Sequence, residues 1–513
     1  MKTRIVLLGA ALVLLLASCF SPLSNDGGTG SITISVPSLE QAGISSSDLS
    51  ASAAGDGNYY ARAFIYRDGS EVGFGETNVA NNSPSELTIA GIPEGGGYSL
   101  VVTIGTKARG VLFPEKYGIS SGGSFSITGG RNTGVSVAVE DSPFFYARPG
   151  EALKGVAVDS DGALVTASES TVYAFAGSAI DGSRFISPTD AASAGFTVNG
   201  LNQGATSVVD EEVAWASGPG TRIVPFDFSG GSLTSLGNIV PAGYIAEGQQ
   251  NILSSQGYSD TIDGQSEAVA MFQIDGGLGG GQVGGDGSAW GDTGEDLKDF
   301  VSGQPVLAIN IWERPDGSKN ALFATKIGAF AVTQEIFEGA DQDAITEAFL
   351  TGEARPGLTP ITLIQGGQSR QISAMSAGRV GGTGRVFLGT ARGVFATNAS
   401  TVVADGEINV GTGEAQPVPG TQGLQVYDLE FLKVEGGPSI LATLGRSRLV
   451  VTNLTNGASV SIPNVAGVPG IPALGRSVSG VKAMALVNAG DAVYLALAGD
   501  FGFAGLDVQG LFE

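Results

Sequence analysis

A strand pattern that recurs about every 55 residues constrains this 513-residue chain more than any other feature. Each copy holds an apolar strand ending in small residues, a tight turn and a second apolar strand. Six copies are readable, with anchors at Thr166, Trp215, Ala324, Gly389, Thr443 and Leu497. The anchors are 49, 109, 65, 54 and 54 residues apart. The interval of 109 is about two periods, which predicts a further unit at residues 268–274.

Repeats of this length, each with room for four short strands, are typical of a β-propeller, whose sheets surround a central channel. We therefore predict an all-β chain whose residues 142–513 form a propeller, with seven blades favoured and six or eight as alternatives. Glycine, at 81 of 513 residues, suits the many tight turns. Insertions are expected near residues 275–300 and 335–352, and Asp341 to Leu350 read as a short helix in the second.

A different strand pattern precedes the repeat. Residues 31–36 alternate apolar and polar side chains, and residues 86–103 read as a strand, a Gly/Pro turn and a strand. The second stretch resembles a hairpin of transthyretin-like and Ig-like modules of bacterial surface proteins. The match rests on Leu87, Ile89, Ile92, Pro93, Gly95, Tyr98, Leu100 and Val102. This resemblance implies a β-sandwich over residues 31–141 that acts as a spacer or adhesion unit.

The N-terminus has the layout of an export signal. Lys2 and Arg4 precede an apolar run from Ile5 to Leu16, which is too short for the roughly 20 residues of a membrane-spanning helix. Small residues then lead to Cys19, the one cysteine of the chain.

This leader resembles a bacterial lipoprotein signal. The resemblance implies a signal peptide over residues 1–18, acylation of Cys19 with chains such as palmitate, and a lipidated flexible tether over residues 19–30. The protein would then be anchored in the bilayer of a bacterial cell envelope. Phe20, where many lipoproteins retained at the inner membrane have aspartate, favours the outer membrane. The alternative is an ordinary signal cleavage, with Cys19 an incidental thiol.

Two absences narrow the function. The chain contains no histidine, which excludes Ser-His-Asp and Cys-His catalysis and His-ligated zinc or iron. Its net charge of −24 disfavours a nucleic-acid partner, because phosphate binding needs a basic surface. We therefore expect a binding protein and not an enzyme.

The basic residues are predicted to gather at one end of the propeller. Turns between second and third strands, and connections from blade to blade, open on one face of this fold. Those segments carry the candidate ligand-binding residues Arg222, Lys326, Arg370, Arg392, Arg446, Arg448 and Arg476. Arginine suits carboxylates, sulfates and phosphates, so this face is predicted to bind an anionic ligand or an acidic partner. The alternative is a set of solvated turns with no ligand.

Other candidate sites are weaker. Asp286, Asp292, Glu295 and Asp296 are candidate calcium ligands, but their spacing matches neither an EF-hand nor a nonapeptide calcium repeat. No cofactor is expected. Asp159 and Asp161 form an acidic pair, in a Val156–Gly162 stretch that resembles a hairpin of NHL-type propellers, and hairpin turns use aspartate routinely.

The sequence thus predicts an envelope lipoprotein that acts as a binding or scaffold module for a protein or an anionic polymer. One alternative is a propeller hydrolase or lyase that acts on glycans or lactones. Another is an envelope-assembly factor, by analogy with the propeller lipoprotein of the outer-membrane barrel assembly machinery.

Overall fold

The structure of the chain is a computed structural model. It describes residues 28–44, 58–238 and 252–512 except for a set of short gaps. The gaps are residues 68–69, 109–110, 121–123, 143, 148–150, 160–161, 181–184, 207–210, 220–221, 263–264, 275–276, 284–305, 314–318, 326–328, 334–357, 405–406, 434–436, 446–447, 464–480, 490–491, 500–501 and 509.

Contacts between Cα atoms divide the chain into two compact units. The first comprises the described residues of Met1–Ser45, Tyr59–Thr103 and Gly118–Glu140. The second comprises those of Ser46–Asn58, Ile104–Tyr117 and Asp141–Glu513.

The first strands of the chain build two sheets. They are β1 (Thr29–Val36), β2 (Tyr59–Arg67), β3 (Ser70–Asn78), β4 (Ser85–Pro93), β5 (Gly95–Ala108), β6 (Val111–Ile119), β7 (Phe125–Ile127), β8 (Asn132–Ser136) and β9 (Glu140–Asp141). One sheet has the order β4-β1-β8, and the other has the order β3-β2-β5-β6-β9 with β7 beside β5. The two strands predicted over residues 86–103 are present, but the predicted hairpin between them is wrong, because β4 pairs with β1 in one sheet and β5 lies between β2 and β6 in the other.

Alternation along β1 explains how these sheets pack. Ile32, Ile34 and Val36 are buried on one face, whereas the intervening serines and threonine stay at least partly accessible. The facing strand β3 carries Gly75, where an added Cβ would lie 2.8 Å from the Cγ1 atom of Ile89. Glycine thus leaves the room that the branched side chains of β4 occupy.

The second unit consists of short antiparallel sheets. Its strands are β10 (Phe144–Ala147), β11 (Gly155–Val158), β12 (Leu164–Ala167), β13 (Thr171–Phe175), β14 (Phe185–Ile186), β15 (Asp190–Ser193), β16 (Gly200–Thr206), β17 (Glu211–Gly218), β18 (Arg222–Ser229), β19 (Ser232–Ser235), β20 (Ile252–Ile262), β21 (Gln265–Ile274), β22 (Gly277–Val283), β23 (Val306–Glu313), β24 (Lys319–Thr325), β25 (Ala329–Thr333), β26 (Leu358–Gln365), β27 (Gln368–Arg370), β28 (Ile372–Val380), β29 (Thr383–Thr390), β30 (Gly393–Asn398), β31 (Glu407–Asn409), β32 (Ala415–Pro417), β33 (Val426–Lys433), β34 (Ser439–Gly445), β35 (Arg448–Asn453), β36 (Ser459–Pro463), β37 (Val481–Ala489), β38 (Ala492–Gly499) and β39 (Gly502–Asp507).

Helical segments are few among these described residues. They are the α-helix α1 (Ala399–Ala404) and 3₁₀ turns at Gly177–Ala179, Val410–Thr412 and Gly510–Phe512. The described residues contain no helix long and apolar enough to cross a membrane. The helix predicted at Asp341 to Leu350 lies outside the described residues.

Seven sheets close into a ring. Each sheet begins with an inner strand that contacts the inner strand of the next: β11 contacts β16, and then β20, β23, β28, β33 and β37 follow in turn. Strand β37 contacts β11 and completes the circle. The predicted seven-bladed propeller is confirmed. We number blades 1 to 7 by these inner strands.

The two ends of the propeller chain meet in blade 7. Its strands have the order β14-β10-β39-β38-β37, so that β10 comes from the start of the propeller and the others except β14 from its end. Strand β10 pairs antiparallel with β39, with Phe145 opposite Gly505. An added Cβ at Gly505 would overlap the ring of Phe145, so the absence of a side chain at this glycine leaves the space that the ring occupies. Backbone hydrogen bonds between β10 and β39 therefore close the ring.

The predicted repeat corresponds to the second strand of each blade, and the predicted further unit lies in β21. The turns that follow these strands begin after Ser168, Gly218, Ile274, Thr325, Thr390, Gly445 and Gly499. Counting back two residues from these turns gives Ala216, Phe323 and Leu388 as equivalents of Thr166, so three predicted anchors were wrong by one residue. Because these strands are buried on both faces, no alternation fixes their register in the sequence.

Candidate functional site

One end of the ring collects the turns between second and third strands together with the blade-to-blade connections; we call it the loop face. Successive strands in a blade run in opposite directions, which places these segments at the same end. Backbone hydrogen bonds show the arrangement: the amide of Leu153 donates to the carbonyl of Gly499 at 2.8 Å, and the amide of Asn199 donates to that of Ser217 at 2.8 Å.

Four of the predicted ligand-binding residues are placed on the loop face by the strand order. Arg222 begins β18, Arg392 lies in the β29–β30 turn and Arg448 begins β35. Arg370 ends β27, directly before the inner strand of blade 5. Lys326, Arg446 and Arg476 lie outside the described residues.

The described arginine side chains differ in their solvent exposure and in their contacts with the protein. Arg392 is exposed, and the exposed Arg222 has its guanidinium 5.8 Å from the centre of the Phe196 ring. Arg370 is half-buried, and its Nη2 donates to the carbonyl of Gln365 at 3.3 Å. Arg370 is therefore partly used in holding the β26–β27 hairpin, whereas Arg392 is available to a partner.

The opposite end of the ring carries both acidic and basic residues among those that the structure describes. Asp159 lies in the β11–β12 turn, where its Oδ1 accepts a hydrogen bond from the amide of Ala163 at 2.8 Å and its carbonyl accepts one from Gly162 at 2.9 Å. Asp159 thus shapes the hairpin, as the sequence favoured, and Asp161 lies outside the described residues. Arg379 and Arg385 also lie at this end, in and beside the β28–β29 hairpin.

Two carboxylates that the sequence analysis did not single out lie on the inner strand of blade 6. Asp428 and Glu430 alternate along β33 on the same side as Leu432, which packs against Met484 and Leu486 of blade 7. Strand register pairs Asp428 with Leu444 and Glu430 with Ala442. The equivalent positions are Ala374 and Ser376 in blade 5, and Ala483 and Ala485 in blade 7.

The surroundings of this pair disfavour its ionised form. Burial raises the pKa of Asp428 to about 6, against a hydrogen bond from the Leu429 amide that lowers it. Burial, together with the negative charge of Asp428, raises the pKa of Glu430 to about 8. Both residues nevertheless keep part of their surface accessible. Both carboxyls are therefore surrounded mostly by protein, which disfavours their charged form, while part of each side chain still meets water.

A signal for this pair was present in the sequence. Acidic residues at alternate positions of an inner strand are unusual, because inner strands of a propeller are otherwise packed between blades. Without the register, however, β33 could not be distinguished from a solvated outer strand.

An exposed tyrosine stands next to the pair, at the loop-face end of β33. A β-bulge between Val426 and Asp428 leaves Tyr427 without a residue opposite it in β34. Tyr427 is 43% exposed, and among the large hydrophobic residues that the structure describes it alone is classed as exposed. Blade 5 has the same bulge at Ser373, whose Oγ donates to the carbonyl of Val426 at 2.8 Å. The bulge is therefore used for packing in blade 5 and presents an aromatic ring in blade 6.

The remaining predicted sites cannot be located. Cys19 and the calcium candidates Asp286, Asp292, Glu295 and Asp296 all lie outside the described residues. Within the described ranges there is no group of three or more Cys, Asp or Glu side chains arranged to hold a metal ion.

Comparison with known proteins gives structural likenesses alone. No protein-family model and no curated protein matches the chain. It is similar to PorZ, a bacterial surface component of the type-IX secretion system of Porphyromonas gingivalis, at 13% identity over 85% of this chain and 60% of that one, with a TM-score of 0.42. It is also similar to the Dos1 propeller, at 10% identity over 76% and 89% of the two chains, with a TM-score of 0.39.

A third likeness is to the extracellular domain of the hybrid two-component system BT3049 of B. thetaiotaomicron, at 9% identity and a TM-score of 0.40. The match covers 79% of this chain and 46% of that domain, so the chain spans less than half of its length. Likenesses at this level carry no argument about function. The strand pairing of the chain itself gives two sheets formed by its first strands and a closed seven-bladed β-propeller.

Proposed function

We propose that this protein is a binding module of a bacterial cell envelope, and that the loop face of its propeller binds an anionic partner. The observation that carries the proposal is the position of Arg222, Arg370, Arg392 and Arg448 at one end of the ring. In a chain of net charge −24, a face that gathers arginines offers a local positive potential that attracts acidic groups.

The anchoring part of the proposal rests on the leader. Acylated Cys19 would hold the protein in a membrane, with the sandwich as a spacer and the propeller as the binding head. Metabolic labelling with a palmitate analogue tests this directly. Label on the wild-type chain and none on Cys19→Ala supports the anchor, and equal labelling of the two contradicts it.

The binding part is tested by charge reversal with a matched control. The test variant carries Arg222→Glu, Arg392→Glu and Arg448→Glu, and Arg370 is left intact because it supports a hairpin. The control carries Arg379→Glu and Arg385→Glu at the opposite end of the ring. A partner captured from detergent-solubilised envelope should be lost with the test variant and kept with the control. Equal capture by the two variants would refute a role for the loop face.

A second candidate function is acid–base hydrolysis or elimination on a glycan or a lactone. It is favoured by the raised pKa values of Asp428 and Glu430, because at neutral pH one carboxyl is ionised while its neighbour keeps its proton. Asp428 would then be the base and Glu430 the acid. Turnover of a polysaccharide by the wild-type protein and its loss in a folded Glu430→Gln variant would support this function. Turnover that persists in Glu430→Gln would exclude this pair as its cause.

A further inference from the structure

Blades 5 and 6 both contribute exposed side chains to one part of the loop face. Its members are exposed side chains with a planar polar or aromatic group, on the segments at and before the start of β33 and on the neighbouring segments of blade 5. We call it the glutamine patch, and it comprises Gln371, Arg392, Gln422, Gln425 and Tyr427.

Hydrogen bonds fix the backbone that carries the patch. The amide of Gly423 donates to the carbonyl of Arg392 at 3.0 Å and ties the loop before β33 to the β29–β30 turn. Within that turn, the amide of Arg392 donates to Oγ1 of Thr390 at 3.0 Å. The Oγ of Ser373 joins the start of β28 to Val426 at 2.8 Å. The backbone that carries the patch is therefore already fixed before a ligand binds, which reduces the conformational entropy lost on binding.

A buried threonine supports the same loop from below. The Oγ1 of Thr421 accepts a hydrogen bond from the amide of Val394 at 3.1 Å and donates to the carbonyl of Val418 at 2.8 Å. Gly420 and Gly423 have φ angles of 78° and 74°, in the left-handed region that glycine adopts freely. The loop before β33 is thus held by hydrogen bonds to buried residues, and Gln422 and Gln425 are exposed to solvent.

The composition of the patch points to one class of ligand. Three primary amides supply donors and acceptors together, and one guanidinium supplies the paired donors that match a carboxylate. The face of the Tyr427 ring is negatively polarised and attracts the C–H bonds of a sugar ring. The exposed members of the patch include no carboxylate, and Asp428 beside it is half-buried with its Oδ1 bonded to the Leu429 amide.

A protein partner fits this patch less well. The centre of a protein interface is formed by several apolar and aromatic anchors that exclude water. Here one aromatic ring stands among amides, and the buried neighbours Leu424 and Val426 are turned into the core. A polymer of acidic sugars fits better, because the hydroxyl groups of each sugar unit would match the amides and its carboxylate would match Arg392.

We propose that the glutamine patch binds an acidic polysaccharide, that is, a polymer of uronic acids. The inference rests on the proposed function of the loop face and names the class of its ligand. Tyr427 stacks on a sugar ring, Arg392 pairs with a carboxylate, and the glutamines hydrogen-bond the hydroxyls.

Calorimetric titration of the mature protein tests the proposal, with polygalacturonate, alginate and hyaluronate as acidic probes and dextran as the neutral one. Binding of at least one acidic probe is expected. Tyr427→Ala should weaken it about tenfold, equivalent to about 1.4 kcal/mol. Arg392→Gln should weaken it similarly, and the control Arg385→Gln should leave it unchanged. Thermal melting checks that each variant is folded.

Three outcomes overturn the proposal. The first is no binding of any acidic probe by the wild-type protein, and the second is unchanged binding by Tyr427→Ala. The third is a captured protein partner whose binding requires Tyr427. The proposed function fails separately, when charge reversal on the loop face leaves envelope capture intact. Loss of capture on charge reversal, together with normal capture by Tyr427→Ala, would keep the proposed function and reject the polysaccharide.

Discussion

Asp428 and Glu430 give blade 6 a chemistry that the equivalent positions of blades 5 and 7 lack. Alanine or serine stands at those positions, where the inner strands pass close to one another. A carboxyl in this setting is more stable protonated, because ionisation would place a charge in poorly hydrated surroundings. The folded chain therefore keeps protons that the unfolded chain has already released. This difference couples the stability of the ring to pH.

The pH dependence has a definite sign. Both folded pKa values, about 6 and about 8, lie above the ordinary values near 4, so the stabilisation is complete at acidic pH and is lost as the pH rises through them. Wild-type protein should therefore lose stability between pH 5 and pH 8.5. Glu430→Gln should remove at least about 1.4 kcal/mol of that loss, the equivalent of one pKa unit.

Urea unfolding of the two proteins at both pH values measures this difference. Glu407→Gln is the matched control, because Glu407 lies exposed on β31. The control should follow the wild-type dependence. If the Glu430→Gln and wild-type curves shift equally with pH, the carboxyl of Glu430 is not the group responsible.

At the level of elements, strand β10 has a role that its four residues would not suggest. It supplies the fourth strand of blade 7, between β39 and β14, and joins the start of the propeller to its end. Phe145 packs with its ring centre 5.4 Å from that of Tyr494 and 5.9 Å from that of Phe503. Gly505 leaves the space for this side chain. Gly378 likewise leaves space for an aromatic ring, because an added Cβ there would overlap the ring of Phe431 from the next blade.

Removal of the Phe145 ring should loosen this closure. Phe145→Ala is expected to cost about 3–5 kcal/mol, as for other buried aromatic side chains, because a cavity would remain against Gly505. Denaturant unfolding followed by circular dichroism measures the change. Tyr427→Ala is the control, since its ring is 43% exposed and its loss should leave stability within about 0.5 kcal/mol. Equal stability of the two variants would show that β10 does not hold the ring.

For the whole molecule, the ring brings together at one end arginines that lie far apart in the sequence. Segments far apart in the chain, at Arg222, Arg392 and Arg448, reach the same end because every blade has the same strand direction. The opposite end carries Asp159 in one of its turns. Such an arrangement favours binding by long-range attraction, which added salt weakens.

Partner binding by the loop face should consequently fall with ionic strength. An increase from about 0.1 M to about 1 M shortens the screening length from about 10 Å to about 3 Å. Envelope capture by wild-type protein should decline over this range, and the residual capture by the triple arginine variant should not. Capture that is independent of salt would indicate an apolar interface in place of the proposed electrostatic one.

The sequence by itself determined the fold class and favoured seven blades over six or eight, because units of about 55 residues with paired apolar strands can bury both sheet faces only by stacking against their neighbours. It also placed the arginines in turns of one kind, since connection type follows from strand order. The tertiary structure alone decided the register of the second strands, the pairing of Phe145 with Gly505 and the surroundings of Asp428 and Glu430. Apolar residues on both faces of a strand carry no signal of register, and the environment of a side chain depends on residues that only folding brings beside it.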